Sequence, residues 1–486
     1  MVHWAAFACR ARAAAAGLAA RGIGPGDRVL VHARNSIAQM ETMWASWHLG
    51  AVWVPTNFRL TPSEVATLAA SSAAAAQIFD PVFPEHAAAA RAANPALRLD
   101  LSLDTGDAAD GWERLATGPD RADPPAEIGY DHPAWFFYTS GTTGRPKAAV
   151  LTHGQMHFVI NNHLADLIPG TTEHDVSLVV APLSHGAGVH ALIQVPRGAA
   201  SVLLAGERLD CAEAWALVER HRVSNLFTVP TILTMLTRHG AVDRHDHSSL
   251  RYVIYAGAPM YRADQRFALE KLGPVLVQYY GMGEVTGAIT VLPPAWHSTD
   301  DARTPVGSCG FPRTGMEVSI RDAAGNALPA GPTGEICVRG GAVHAGYWNN
   351  PEATEAAFAG GWFHTGDLGH IDVRGLVYIT GRASDMYISG GSNVYPREIE
   401  EALLTHPAVA EACVVGLPHP KWGEAGVAVL VLREAVGEPA LLAHLEGRLA
   451  KYKWPVRFAV WAELPKSGYG KVTKREVRRK LEENAR

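Results

Sequence analysis

Residues 138 to 150 read Tyr138-Thr139-Ser140-Gly141-Thr142-Thr143-Gly144-Arg145-Pro146-Lys147-Ala148-Ala149-Val150, directly after Trp135, Phe136 and Phe137. The aromatic run is of strand type, and it breaks at the hydroxyl- and glycine-rich residues that follow. Glycines on either side of Thr142 and Thr143 let backbone N–H groups turn inward as an anion nest. The hydroxyls of Thr139, Ser140, Thr142 and Thr143 add donors, and Lys147 adds a point charge. A strand thus runs into a turn with phosphate-binding chemistry. The spacing disfavours an ordinary P-loop, in which Lys directly follows Gly and precedes Ser or Thr; here Arg145 and Pro146 intervene and Ala148 follows. A bare G-T-T-G would read as a polar surface loop, but the whole string is far more specific.

The chain has 486 residues, too many for one ordinary domain and enough for a large body with a smaller companion. A hydrophobic content of 48% supports a substantial core, and a formal net charge of -5 gives no sign of a nucleic-acid binder. Cys9, Cys211, Cys309, Cys337 and Cys413 lie far apart with no C-x-x-C pair, so the spacing indicates neither a zinc site nor a disulfide framework. A reducing, cytoplasmic setting fits this usage. No apolar run approaches the ~20 residues of a membrane span. The Ala-rich start, Trp4 to Ala20, is interrupted by Arg10 and Arg12 and followed by the turn Gly24-Pro25-Gly26-Asp27, which marks an ordinary helix rather than a targeting peptide.

From Val29 to about Asp80 the pattern alternates: strand Val29 to Val31, helix Ile37 to Leu49, strand Val52 to Val54, then a helix opened by Thr61-Pro62-Ser63-Glu64. Ala87 to Ala93 reads as a helix, and Leu103 to Tyr130, rich in Asp, Gly and Pro, as a surface connection. A helix from Gly154 to Ile168 follows the phosphate loop; its His157 lies four after His153, but without the Glu of H-E-x-x-H a solvated face is expected there. Strands at 176–180, 201–204, 224–229, 252–255 and 275–278 alternate with helical segments, implying a second α/β half. Beyond Pro305 short strands separated by Gly, Pro and Asn turns mark a β-rich subdomain, about 305–381. A compact α+β unit follows. The expected fold class is α/β, with an N-terminal body over 1–381 and a small unit over 382–486. The basic run from Lys471 to Lys480 is diluted by acidic residues and reads as a solvated amphipathic helix.

The string at 138–150 resembles the phosphate loop of the adenylate-forming (AMP-binding) superfamily, which includes acyl- and aryl-CoA ligases, nonribosomal adenylation domains and beetle luciferases. The resemblance spans nearly the whole chain. It implies a layered body with a mobile C-terminal lid, ATP and Mg2+ as cofactors and coenzyme A as co-substrate. A carboxylate is a poor electrophile, so such an enzyme lets it attack the α-phosphate of ATP, expels pyrophosphate, and hands the acyl-adenylate to a thiol. That chemistry requires triphosphate, metal, ribose and carboxylate to be held together with their repulsion quenched.

Further motifs carry these roles by resemblance. Tyr280-Gly281-Met282-Gly283-Glu284 is similar to Y-G-x-T-E, with Tyr280 packing on adenine and Glu284 holding the metal; Tyr279 and Gly281 are placed with them. Tyr255-Ala256-Gly257-Ala258-Pro259 resembles the other adenine wall, through Gly257, Ala258 and Pro259. Asp367, in G-W-F-H-T-G-D, matches the ribose-binding Asp, and Arg382, fifteen residues on, matches the Arg that also reaches ribose and phosphate. The segment from Ala181 to Gly188 resembles P-L-x-H-x-x-G, whose His185 lines or gates the acyl pocket, with a general base as the alternative. Val180, His185, Tyr255, Gly281 and Met282 form the expected, largely apolar pocket. Lys471, in the string from Pro465, matches the adenylation lysine, which acts with Thr139, Lys147, Glu284 and His185 as the catalytic set. Gly390 and Gly391 belong to a segment resembling the pantetheine tunnel of CoA ligases.

Three departures stand out. Gly283 replaces a Thr that would contact the α-phosphate, leaving that bond to Thr286 or a backbone N–H. Ser384 stands at the hinge, usually Asp or Lys. Met1 leads almost directly into the first helix, so either the start is truncated or this subdomain is smaller. With no carrier-protein module after the lid, free CoA is the expected acceptor, and an acyl-CoA ligase for a hydrophobic acid the expected activity. A ligase serving an amine or carrier protein, or a degenerate nucleotide-binding regulator, are the alternatives. The expected partners are small molecules, with no nucleic acid and no membrane span; a homo-oligomer is left open without sequence support.

Overall fold

The computed structural model describes residues 1–104, 111–120, 128–140, 146–204, 206, 208–258, 260–466 and 472–483. Its first sheet has the order β4-β3-β1-β2-β5-β6, built from β1 (Arg28–His32), β2 (Val52–Thr56), β3 (Ala76–Phe79), β4 (Leu99–Ser102), β5 (Pro133–Ser140) and β6 (Pro146–Thr152). β1 to β5 run parallel, so crossovers are required, and helices α1 (Trp4–Ala19), α2 (Ile37–His48), α3 (Pro62–Ser72) and α4 (Pro84–Ala93) supply them or cover the sheet. The expected Thr61 start is a capping box: Glu64 N–H donates to Thr61 Oγ1 at 3.4 Å and Thr61 N–H to Glu64 Oε2 at 2.7 Å. β6, antiparallel to β5, has no counterpart in the sequence reading.

The segment 103–130 is not wholly a surface connection. A short helix, α5 (Trp112–Ala116), packs on α1 and buries Trp112, Leu115 and Ala116. Trp112 Nε1 donates to Glu41 Oε2 at 2.9 Å. Polar composition on both sides hid one anchoring indole.

The helices α6 (His153–Asp166) and α7 (Gly186–Gln194) lead into a second sheet. Its strands are β7 (Val176–Val179), β8 (Ala200–Leu203), β9 (Asn225–Thr228), β10 (Tyr252–Tyr255), β11 (Leu276–Tyr280), β12 (Thr290–Leu292), β13 (Ser308–Pro312), β14 (Met316–Arg321), β15 (Gly334–Gly340), β16 (Phe363–Ile371) and β17 (Val377–Arg382). β7 to β11 pair in parallel, and the antiparallel pairs β11–β12 and β12–β13 carry the ladder into the β-rich part. That part is therefore continuous with the second α/β sheet. Helices α2 and α7 each feed two cores: Met43 and Val189 pack with the first sheet, Met40 and Ala187 with the second. Being covered on both sides explains why α2 is buried almost throughout.

A third sheet starts with β18 (Tyr387–Ser389) and β19 (Ser392–Val394) and continues through β20 (Val409–His419), β21 (Gly423–Leu432) and β22 (Arg457–Val460). Helix Pro396–Leu404 buries Ile399 and Leu403 on one core, and the basic C-terminal helix Lys474–Glu483 buries Val477 and Leu481 on another. Arg397 Nη1 donates to the Ile379 carbonyl at 3.1 Å, a contact from this unit to β17. Ser384 is exposed in the turn that follows Arg382. Among the described residues no helix is long and apolar enough to cross a membrane.

Glu41 is fully buried and is neutralised by Arg10, whose Nε lies 2.5 Å from Oε1. Removing one partner of such a pair strands a charge in the core. Arg10→Leu is expected to lower stability by about 3 kcal/mol, read as a shift of the first denaturant midpoint; an unchanged midpoint would show that the pair carries no stability.

Candidate active site

β11 ends at Tyr280, and the chain then folds back tightly: Gly287 N–H donates to the Met282 carbonyl at 3.0 Å and Ile289 N–H to the Tyr280 carbonyl at 3.2 Å. At Gly281 a Cβ would lie 2.3 Å from the Gly287 backbone, so only glycine fits this fold-back. The turn therefore presents Tyr280 and Glu284 from one short segment.

Glu284 is buried, and Thr139 Oγ1 donates to its Oε1 at 2.8 Å. Tyr347 Oη donates to the same oxygen at 3.3 Å, and His344 N–H holds the Glu284 carbonyl at 2.8 Å. Oε2 is buried with no hydrogen-bond partner. An unpartnered carboxylate oxygen beside a hydroxyl is a hard-oxygen donor set, and it fits a magnesium ion that keeps most of its own water or phosphate ligands. Burial raises the Tyr347 phenol above its ordinary range, with Glu284 adding to the shift, so the hydroxyl stays protonated. Lys147 pairs with Thr139 across β5 and β6 and places its Nζ 5.2 Å from the centre of the Tyr347 ring.

The second half of the site lies on β16 and β17. Tyr280 Oη donates to Asp367 Oδ2 at 2.7 Å, and Arg382 Nε to Oδ1 at 3.0 Å. Asp367 and Arg382 are Cα partners across the two strands, which makes the pair a product of register. Asp367 holds the Arg382 guanidinium above its usual range, while desolvation, with Asp367 second, holds the Tyr280 phenol well above its own. The turn is braced from below: Glu335 Oε1 accepts from Gly366 N–H at 3.0 Å, and His364 Nδ1 lies 2.7 Å from Glu335 Oε2. Together with Cys337 these two bring three potential metal donors within 4.8 Å of one another, a grouping that sequence spacing does not reveal.

The structure links Thr139 to Glu284, and Tyr280 and Arg382 to Asp367, with Tyr280 and Glu284 on one turn. Of the phosphate loop, Gly141, Thr142, Thr143 and Gly144 lie outside the described residues, as do Pro259, Lys471 and the side chain of Ser140; the flanking partners Ser140 and Pro146 pair in the ladder. Gly257, at φ +81°, and Ala258 are exposed beyond β10. His185 stands at the N-cap position of α7, donates from Nδ1 to the Ser184 carbonyl at 2.9 Å, and packs against Phe137 with ring centres 4.7 Å apart. Gly390, at φ +56°, donates its N–H to the Trp422 carbonyl at 2.9 Å, and Gly391 adopts φ +83°.

Two expected residues sit elsewhere. Tyr255 is fully buried, with its hydroxyl bonded to Gln265, Gln278 and His297, so its ring belongs to the core rather than to a pocket surface. Tyr279 follows strand alternation and points away from Tyr280, onto Phe227. Val180 packs at the edge of the second core, and Met282 against the first. Gly283 has a structural reason: a Cβ there would lie 2.4 Å from Phe137 Cδ1, so Phe137 occupies the room a Thr would need. Thr286 is no substitute for that Thr, since its hydroxyl donates to the Val285 carbonyl at 2.6 Å. Sequence reasoning missed Tyr347, His344 and Asn35; the last clamps the 181–183 loop through the Ala181 carbonyl and Leu183 N–H, both at 2.9 Å. The aromatic pair Tyr347-Trp348 was the available signal.

The chain is similar to known proteins over nearly its whole length. The sequence profile of the AMP-binding enzyme family matches residues 2–348, and that of the AMP-binding enzyme C-terminal domain matches residues 398–471. A feruloyl-CoA synthase from Amycolatopsis is 37% identical over 469 residues, 96% of this chain and 91% of that protein. The ATP-bound structure of MatB from Rhodopseudomonas palustris superposes with a TM-score of 0.89 at 30% identity, covering 100% of this chain and 94% of that one. An amide bond synthetase, McbA from Marinactinospora thermotolerans, gives a TM-score of 0.88 at 31% identity, covering 98% and 94%. With both domain profiles matched in order along the chain, it belongs to the AMP-binding enzyme family.

Proposed function

We propose that the chain is an ATP-dependent, AMP-forming ligase that adenylates a hydrophobic carboxylic acid and transfers the acyl group to coenzyme A. The observation that carries this reading is the buried, unpartnered Oε2 of Glu284 next to Thr139, set on the same turn as the Tyr280–Asp367–Arg382 cluster. One end suits a metal-bound triphosphate and the other a ribose diol. Magnesium, when bound, would offset the charge of the pyrophosphate leaving group.

In the first step a carboxylate oxygen attacks the α-phosphorus, the bond to the β-phosphate bridging oxygen breaks, and pyrophosphate departs. In the second the CoA thiolate attacks the acyl carbon and AMP leaves with the electron pair. Asp367 accepts from the ribose hydroxyls with lone pairs not used by Tyr280 and Arg382, and Arg382, half-exposed, reaches toward the α-phosphate. Lys147 and Thr139 steady the phosphates, and Lys471 on the C-terminal unit bridges the two anions as they meet. His185 and Met282 line the acyl side, with Gly281 and Val180 beside them. The unit after Arg382 acts as a lid hinged at Ser384, and its Gly390-Gly391 turn borders the pantetheine path. Five unpaired cysteines accord with a cytoplasmic setting. The feruloyl-CoA synthase relative supports an aryl acid and CoA as substrates. An amine acceptor is the second reading, favoured by the amide bond synthetase neighbour.

The test is acid-dependent exchange of labelled pyrophosphate into ATP across a panel of acids, followed by CoA-dependent AMP release. Exchange without CoA consumption would favour the amine reading, and no exchange with any acid would overturn both. Lys471→Ala is expected to slow adenylation by roughly 10²- to 10³-fold while leaving thioester formation from a supplied acyl-adenylate largely intact; an unaltered exchange rate would remove the lysine from the mechanism. Gly283→Thr is expected to reduce exchange at least about tenfold, and pairing it with Phe137→Ala to recover part of the loss; full activity in the single variant would contradict the steric account.

A further inference from the structure

Tyr279 is held among aromatic neighbours in the second core. Its ring stacks on Phe227 with centroids 5.9 Å apart and planes at 21°, and His163 meets it edge-on at 6.2 Å. Two glycines make room for it. A Cβ on Gly186 would lie 2.7 Å from Phe227 Cζ and 3.3 Å from Tyr279 Oη; one on Gly287, at φ +77°, would lie 2.8 Å from Tyr279 Cε2. Gly186 directly follows His185, whose ring lies on Phe137, and Phe137 borders Gly283. A continuous wall thus leads from Thr139 and Glu284, past Phe137 and His185, to the Tyr279 ring.

Behind the ring stands Arg313, whose side chain is fully buried. Its Cζ lies 6.0 Å from the ring centre, its Nη2 2.9 Å from His163 Nδ1, and its Nε 3.8 Å from Asp166 Oδ2, while Nε and Nη1 have no hydrogen-bond partner. A cation against the ring face draws electron density from the phenol and makes its O–H a better donor. Burial holds that phenol above its ordinary range, so it is protonated at neutral pH. Among the described residues the Tyr279 hydroxyl makes no hydrogen bond. Tyr279 keeps 8% of its surface accessible and its oxygen is not sealed in the core, so a ligand can reach the hydroxyl.

We propose that Tyr279 is the end wall of the acyl pocket and a specificity-determining residue: its hydroxyl donates to an oxygen substituent at the far end of a compact aryl acid, and its ring stops longer chains. The flat faces of Phe137, His185 and Phe227 along the wall suit a planar acid better than a flexible alkyl chain. The inference rests on the ligase reading above and adds the substrate class and the residue that reads it.

The experiment measures kcat/KM for CoA-dependent AMP release with a para-hydroxylated arylpropenoic acid, its unsubstituted counterpart and a series of straight-chain acids. Wild type is expected to favour the oxygenated acid by about tenfold, the range of one neutral hydrogen bond, and Tyr279→Phe to bring the ratio close to one. Tyr279→Ala is expected to accept straight-chain acids several carbons longer than wild type does. A wild type active on both aryl acids but indifferent to the ring oxygen, an unchanged ratio in Tyr279→Phe, or no gain in chain length in Tyr279→Ala overturns this inference alone. A wild type that releases no AMP with any acid overturns the ligase reading and takes the inference with it.

Discussion

The site depends on one backbone constraint, the fold-back of the chain between Tyr280 and Gly287. Gly281 lies so close to the Gly287 backbone that a methyl group there would overlap it, and the hydrogen bonds of Met282 and Tyr280 lock the turn. Because of that closeness, two side chains four residues apart reach two separate polar clusters from one turn. Tyr280 reaches Asp367, and Glu284 accepts from Thr139. A looser turn would let the two clusters drift independently, and reacting groups must be held to within fractions of an ångström.

The electrostatics follow from where this turn sits. Two carboxylates, Glu284 and Asp367, are both buried, and buried charges persist only when they are paired or hydrogen-bonded. Asp367 is matched on both oxygens, by Tyr280 and Arg382. Glu284 is matched on one, by Thr139 and Tyr347, and left open on the other. That asymmetry separates the two carboxylates chemically: Asp367, with one donor on each oxygen, is held in place and keeps lone pairs for further hydroxyl donors, while the open oxygen of Glu284 has capacity for a cation. The cationic partners, Lys147 and Arg382, are partly exposed, where a ligand's phosphates can reach them before they are fully desolvated.

Most of the fold and the core of the site were legible because their signals are local. The strand-to-glycine break at Tyr138, the Thr61 capping box and the clustered Tyr280–Glu284 segment each lie within one window of sequence. What was not legible comes from pairing over long separations. Tyr347 and His344 reach Glu284 only because residues 345–348 run along β6, and the Glu335–His364 brace under Asp367 is made by strand register. Trp112 was masked by its Asp- and Gly-rich surroundings, though a lone Trp in a polar stretch is itself a sign of burial. Gly283 looked like a lost hydrogen bond, and its cause was a phenylalanine nearly 150 positions earlier that fills the same space. Tyr279 was grouped with its neighbour in sequence, whereas a strand sends adjacent side chains to opposite faces.

The central claim is that the open oxygen of Glu284 belongs to a metal-bound triphosphate. Calorimetric titration of ATP with and without magnesium, into wild type and Glu284→Gln, addresses it directly. The account predicts that magnesium tightens ATP binding to wild type and that this increment is largely lost in the Gln variant, while metal-free affinity changes little. An equal magnesium increment in both proteins would contradict it.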